Sequence, residues 1–521
     1  MKRFLLTPLL LTLLLTSSSV LTLGQQSTTL AGRIQTIMDR PEFRHAFFGI
    51  EFYSLDTGKP IYALNAEKLF TPGSTTKLLT EGTALELLGA DFRFHTRIYR
   101  TGPISNDGTL DGDLILVASG DPNLSGRINA DGTLAFENED HSYDGDVHTR
   151  AVPGDPLLVI RRLAQAVTDR GVKKISGHVI IDNSLFAEGQ KELGTGVVIS
   201  PVVVNDNLVD VVMGPGEQVG APVTCKVSPL TSYVTFVNKA TTGAPESKPD
   251  ITWASEVRNP DGSHTITIAG SMPATKPTIL YNYPVPEPSR FAETVLVEAL
   301  REKGISVELS ASGASHDFKA LAASYLADNQ VAEHISPPLK EEVRITLKVS
   351  QNLHASMTPL TLAATLAKNT DRTGFDLEHD FLTRAGLDLS SAQQADGAGG
   401  DAHFTPEFMV SYLAYMSKQK DFQFFYDSLP ILGRDGTLFD IQPASPAAGK
   451  VHAKTGTFGA YDPLNRQLLV TGKGLAGYMT TRDGQHLVFA IYVNNVSVAP
   501  DSSEIKRVVG QALGEIAAAA Y

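Results

Sequence analysis

Three short polar motifs lie far apart in this chain: Ser74-Thr75-Thr76-Lys77, Ser350-Gln351-Asn352 and Lys454-Thr455-Gly456-Thr457. If they serve one site, the 276 residues from Ser74 to Ser350 must leave the domain that holds it and then return. A large insertion between the first two motifs is therefore the strongest constraint on the fold. In a helix that begins at Ser74, Ser74 and Lys77 are three apart and share a face. A hydroxyl beside an amine can act as nucleophile and base if the amine is neutral, and both burial and a second cation lower a lysine pKa. The spacing alone is weak evidence, because Ser417/Lys420 and Ser503/Lys506 repeat it on what read as solvated helix faces. The Ser350/Asn352 pair offers a hydroxyl to relay a proton and an amide to hold a carbonyl, though by itself it also reads as a helix cap. Lys454, Thr455 and Gly456 would present a cation, a hydroxyl and a close backbone approach from a strand. Taken alone they also fit an edge strand with a surface lysine.

Composition narrows the chemistry. The 521 residues carry a formal net charge of −13, which argues against a nucleic-acid groove and against broad adhesion to anionic lipid. Hydrophobic residues make up 42%, enough to bury sizeable cores and to exclude disorder as the main state. The lone Cys225 excludes a disulfide scaffold, a cysteine-based zinc site and an iron–sulfur cluster, and it reads as a small apolar residue. No His-Glu-x-x-His occurs, so neither a metal nor another cofactor is expected. Residues 1–25 read as a secretory signal peptide: Lys2 and Arg3, an apolar run over 4–15, then Thr16 and three serines. The alternative is an uncleaved anchor, but the run is short for a span of about 20 residues. The mature protein is expected to work outside the cytoplasmic membrane, in a periplasmic or cell-wall compartment.

Past this leader the pattern alternates. Strands are expected at 47–53 and 61–64, a helix over 75–88, and strands at 93–99 and 114–117. Residues 174–282 form a β-rich stretch punctuated by Gly, Pro, Asn and Ser. The segment 334–339, with Pro337 and Pro338, reads as a linker, followed by helices over 339–349, 353–366 and 405–416 and strands over 450–496. Ile505, Val508, Val509, Ala512, Leu513, Ile516 and Ala517 fall on one apolar stripe. The C-terminal helix is thus expected to pack against the protein, not to anchor it in lipid.

Together and in this order, the motifs form the set found in penicillin-binding proteins and serine β-lactamases. With the long gap, the chain resembles the D-alanyl-D-alanine carboxypeptidase/endopeptidase family, the low-molecular-mass class C penicillin-binding proteins. Ser119-Gly120-Asp121-Pro122, Asp182-Asn183-Ser184-Leu185-Phe186, Leu429-Pro430 and Gly433-Arg434-Asp435-Gly436-Thr437-Leu438 match further landmarks. The resemblance implies an α/β fold: a serine β-lactamase/transpeptidase-like domain, its antiparallel sheet packed against helices, with nested and partly β-rich inserted domains. It places the catalytic domain at 26–98 and 334–521, a second domain at 99–173 and 283–333, and a third at 174–282.

The resemblance also implies roles. Ser74 is the acylated nucleophile, Lys77 its base, and Ser350 the relay to the leaving amine. Asn352 holds the substrate amide, Lys454 and Thr455 take the terminal carboxylate, and Ser74 and Thr457 give the oxyanion-hole N–H groups beside Gly456. Asp182 is a stem-recognising position, or else a turn residue. Lys454 would be the cation that depresses Lys77. The implied partners are peptidoglycan stem peptides, with β-lactams as inhibitors; the insertion would serve substrate access and not bond breaking. The family's Asp-Gly-Ser-Gly-Leu-Ser is here Asp396-Gly397-Ala398-Gly399-Gly400-Asp401, an arginine of some members is Ala402, and a glutamine is Gly459. The stretch 457–474 is about ten residues longer than expected. A β-lactamase-like hydrolase and a non-catalytic murein-binding protein remain as alternatives.

Overall fold

The computed structural model describes residues 29–521, so the leader read at 1–25 lies outside the described residues. The strand His486–Asn494 is an almost unbroken apolar run, the pattern of a strand covered on both faces. It lies at the centre of an antiparallel sheet with the order Val451–Asp462, Gln467–Thr480, His486–Asn494, Phe47–Ser54, Lys59–Leu64. Short strand Val496–Val498 adds to Gln467–Thr480. Phe47 pairs with Asn494 and Ser54 with Leu487, so the two ends of the chain are joined in one sheet.

Side chains alternate across this sheet. Leu475, Met479, Phe489, Ile491 and Val493 face Ile34 and Ile37 of the helix Leu30–Met38 and Leu513, Ile516 and Ala517 of Gln511–Ala519. On the opposite face, Ala476, Tyr478, Val488, Ala490 and Tyr492 meet Leu78, Leu85, Val343, Met409 and Leu413. Those residues come from the helices Lys77–Leu88, Leu339–Lys348 and Pro406–Met416. The C-terminal segment is therefore a packing element, although its turns Ile505–Gly510 are π-helical. Among the described residues no helix is long and apolar enough to cross a membrane.

Between the two ends, a second sheet has the order Ser306–Glu308, Lys174–Asp182, Leu114–Val117, His95–Arg100, Gln330–Ile335. It packs with helices Leu158–Asp169 and Pro288–Glu302 around one apolar core. Strand Lys174–Asp182, which the sequence suggested as the start of the β-rich module, is paired here with Leu114–Val117 in parallel. Beyond it come a three-stranded sheet (Ile279–Pro284, Leu208–Gly214, Thr224–Ser228) and a four-stranded one built on His264–Pro273. The expected linker is shorter than its prolines suggested, since His334 and Ile335 end a strand and Leu339 begins a helix. The stretch 457–474 is not a loose loop: pairing continues to Asp462↔Gln467, giving a long hairpin with exposed Phe458, Tyr461 and Leu464.

Ile516 is fully buried between the C-terminal helix and the sheet. Ile516→Ala is expected to destabilise the fold by about 2–4 kcal/mol, read as a lowered urea midpoint by circular dichroism.

Candidate active site

Ser74 does not open the α-helix, as its spacing to Lys77 suggested. It lies in a single 3-10 turn, Gly73–Thr76, and the helix Lys77–Leu88 follows. In a 3-10 turn residues three apart eclipse one another, which brings the two side chains together directly. Lys77 Nζ stands 2.7 Å from Ser74 Oγ. The turn is pressed against the strand Val451–Asp462. Gly73 has φ +52°, and a Cβ there would come within 2.5 Å of Thr457 N, while a Cβ at Gly456 would lie 2.0 Å from Pro72 O. Side chains at either position would push the Ser74 turn away from the third motif.

Ser350 sits between helices Leu339–Lys348 and Asn352–Leu366 with φ +64°, a left-handed conformation uncommon for a residue with a Cβ. Its hydroxyl lies between two lysine amines, accepting from Lys454 Nζ at 2.8 Å and lying 3.3 Å from Lys77 Nζ. Asn352 Oδ1 is 2.5 Å from Lys77 Nζ. The structure thus brings Ser74, Lys77, Ser350, Asn352 and Lys454 into one cluster. Thr455 continues it by a 2.8 Å hydroxyl–hydroxyl bond to Thr437. Thr457 Oγ1 accepts from Lys473 Nζ. Asp396 ties its turn by accepting from the N–H groups of Ala398 and Gly399, both at 2.7 Å, and Thr80 Oγ1 donates to Gly397 O at 2.8 Å. The altered Asp396–Asp401 segment thus still lies against the helix Lys77–Leu88.

Asp182 is not joined to the cluster by its hydrogen bonds. Its carboxylate accepts from Ser184 N at 2.9 Å and from Tyr325 OH at 2.5 Å, the behaviour of a strand-end turn residue. The other two Ser-x-x-Lys pairs are local structure as well. Ser417 Oγ donates to Ala414 O, Ser503 Oγ donates to Asp501, and Lys506 pairs with Glu139 and Asp440.

Burial sets the electrostatics. Lys77 is fully buried, and this brings its pKa down to about 7 against the opposing pull of Glu192, Asp396 and Glu81. Desolvation, one of the two causes expected from sequence, is thus the main one, and Lys454, the other, is not among the groups that shift Lys77. The like-charge repulsion is seen at Lys454, held well below its usual range by burial, by Lys77 and then by Lys473. A neutral amine has two N–H donors and one lone pair. At Lys77 these match three neighbours: Asn352 Oδ1 and Ser350 Oγ as acceptors, and the Ser74 O–H as donor.

The motifs gave no sign of the support behind Ser350-Gln351-Asn352. Tyr143 OH donates to Ser350 O at 2.6 Å, and Gln351 Nε2 donates to Asp140 Oδ1 at 2.9 Å. Asp140 and Asp206 share the Arg127 guanidinium at 2.6 and 2.7 Å. His141 bridges Asp206 and Asp210, and His354, two residues past Asn352, bridges Asp206 and Glu342. Burial alone would lower both histidines, but their paired carboxylates raise them to about 10, so both are charged. Asp140, His141 and Asp206 converge closely enough to hold a metal ion, but Arg127 and the histidine charges already neutralise those carboxylates. Residues from 127 to 210, between the first two motifs, therefore brace the second motif, a role that the expectation of substrate access did not include. The run Asp140-His141-Ser142-Tyr143-Asp144, dense in polar groups, was the available sequence signal.

Known proteins resemble this chain along most of its length. A sequence model of the D-Ala-D-Ala carboxypeptidase 3 (S13) family matches residues 30–515. A D-alanyl-D-alanine carboxypeptidase of an Actinomadura species is 26% identical over 520 residues, covering 95% of this chain and 86% of that protein. The crystal structure of penicillin binding protein 4 from Haemophilus influenzae superposes with a TM-score of 0.69 at 21% identity, covering 93% of this chain and 97% of that one. The same protein complexed with a β-lactam gives a TM-score of 0.64 at 19% identity over 93% and 98% of the two chains.

Tyr143→Phe removes one donor to the Ser350 carbonyl and is expected to slow labelling by a fluorescent penicillin about ten-fold with unchanged circular dichroism. Asp206→Asn removes the carboxylate that Arg127, His141 and His354 share, leaving each with one partner (Asp140, Asp210 and Glu342), and is expected to cost about 3–5 kcal/mol of stability, measured by urea unfolding.

Proposed function

The chain belongs to the D-Ala-D-Ala carboxypeptidase 3 (S13) family and is a serine-type D-Ala-D-Ala carboxypeptidase; we propose that it works through an acyl-enzyme on Ser74. The observation that carries this reading is one buried amine within reach of Ser74 Oγ, Ser350 Oγ and Asn352 Oδ1. Neutral Lys77 takes the Ser74 proton as Oγ attacks the carbonyl of the penultimate D-Ala. The oxyanion forms against the N–H groups of Ser74 and Thr457, whose close approach the two glycines permit. Asn352 orients the substrate amide. The proton passes from Lys77 through the Ser350 hydroxyl to the departing D-Ala nitrogen, and the C–N bond breaks. Water then attacks the ester with the same groups in reverse order, giving shortened peptide and free Ser74.

Lys454 and Thr455 take the terminal carboxylate. A carboxylate there would also raise the Lys454 pKa and keep it charged. The substrates are peptidoglycan stem peptides and D-Ala-containing cross-links, and β-lactams acylate the same serine. The leader at 1–25 supports secretion across the cytoplasmic membrane. We read the chain as a catalytic domain expected at 26–98 and 334–521 that carries the nested insertions between, with both inner bounds moved out of the strands His95–Arg100 and Gln330–Ile335, which belong to the second sheet.

Intact-mass spectrometry after penicillin treatment tests the assignment. A lasting adduct on the peptide containing Ser74, absent from Ser74→Ala, is expected; an adduct elsewhere would refute it. Transient label would indicate a β-lactamase-like hydrolase, and no label a murein-binding protein. Since Lys77 must be neutral and its pKa is lowered to about 7, the acylation rate should rise with pH through about 7. A rate that falls over that interval would remove Lys77 as the base.

A further inference from the structure

Lys473 belongs to none of the three motifs. It lies on the strand Gln467–Thr480, directly opposite Thr457, so the two side chains share a face of the sheet with Thr455. Its side chain is nine-tenths buried, and Nζ donates to Thr457 Oγ1. Among the described residues no carboxylate pairs with this amine. The other nearby cation, Lys506, is already neutralised by Glu139 at 2.9 Å and Asp440 at 2.7 Å. Lys454 stands three residues before Thr457 on the strand Val451–Asp462, and its hydrogen-bond partners are likewise uncharged: Ser350 Oγ and Thr455 O. Two buried lysines thus flank Thr455 and Thr457 with no paired carboxylate among the described residues. Burying unpaired charge is costly, and an anion supplied from outside would offset that cost.

We propose that Lys473 is a second cation of the subsite for the substrate's terminal carboxylate, acting through and beside Thr457. Because the Thr457 oxygen accepts from Lys473, its own O–H is left to donate to the carboxylate, and the ammonium adds a charge beyond that of Lys454. The inference deepens the carboxypeptidase reading and rests on it.

The test compares N-benzoyl-D-alanyl thioglycolate, whose leaving group ends in a carboxylate, with its methyl ester, on wild type, K473M, K473Q and K473R. K473M and K473Q should raise KM for the free acid about ten- to a hundred-fold, with kcat and the methyl ester changed less than about two-fold. K473R should recover most of the loss. K473M should also raise Tm, since it removes a buried charge that lacks a counter-ion. Equal losses on both substrates, no loss on either, or a lowered Tm would overturn the assignment. A wild-type enzyme that cleaves neither thioester would overturn the carboxypeptidase reading and this inference with it. Cleavage by wild type with indifferent variants overturns only the role of Lys473.

Discussion

An amine can act as a base near neutral pH only where water is kept from it, and the site is arranged around that requirement at Lys77. The sheet lies on one side of the residue and helices on the others, and its three polar neighbours are all uncharged. Those neighbours matter because an amine buried without partners would lose more in desolvation than it gained in reactivity. Three carboxylates at longer range, those of Glu192, Asp396 and Glu81, oppose the shift without cancelling it. The pKa near 7 is a balance between burial and these charges.

The second constraint is mechanical. Ser350 holds a left-handed backbone that its own side chain does nothing to favour, so its surroundings must impose it. Tyr143 binds its carbonyl, Gln351 is held by Asp140, and His354 is held by Asp206 and Glu342. A buried network of this kind is weak evidence for stability, but breaking one member leaves a buried charge unpaired. It joins the insertion to the end of the chain that carries the three motifs and fixes the position of Ser350, the proposed proton relay.

Much of this was legible in the sequence. The three motifs were recognisable from residue type and order, and the 276-residue gap required the insertion. The alternating strands and the apolar stripe at the C-terminus follow simple periodicities. Other features were not legible, because they depend on contacts distant in sequence. Nothing local to Tyr143, Asp206 or Lys473 identifies its partner, and the origin of the Lys77 shift is visible only once its burial is known. Strands over 450–496 were legible, but the long hairpin after Thr457 was not, because its strands, with exposed Phe458, Tyr461 and Leu464, lack a buried face. Asp182 was selected by motif position, yet its carboxylate serves its own turn.

The sheet that joins Phe47–Ser54 to His486–Asn494 has a consequence for how the molecule matures. Strand pairs so distant in sequence close late, because a long loop must be ordered before they form. The two smaller inserted sheets, built from strands within 208–284, pair segments much nearer one another along the chain and can form first. Lys454 and its strand arrive near the end of the polypeptide, so Ser74, the proposed nucleophile, meets its partners only when almost the whole chain has been delivered. A partly emerged chain is therefore chemically silent, and catalytic competence itself reports completion of the fold.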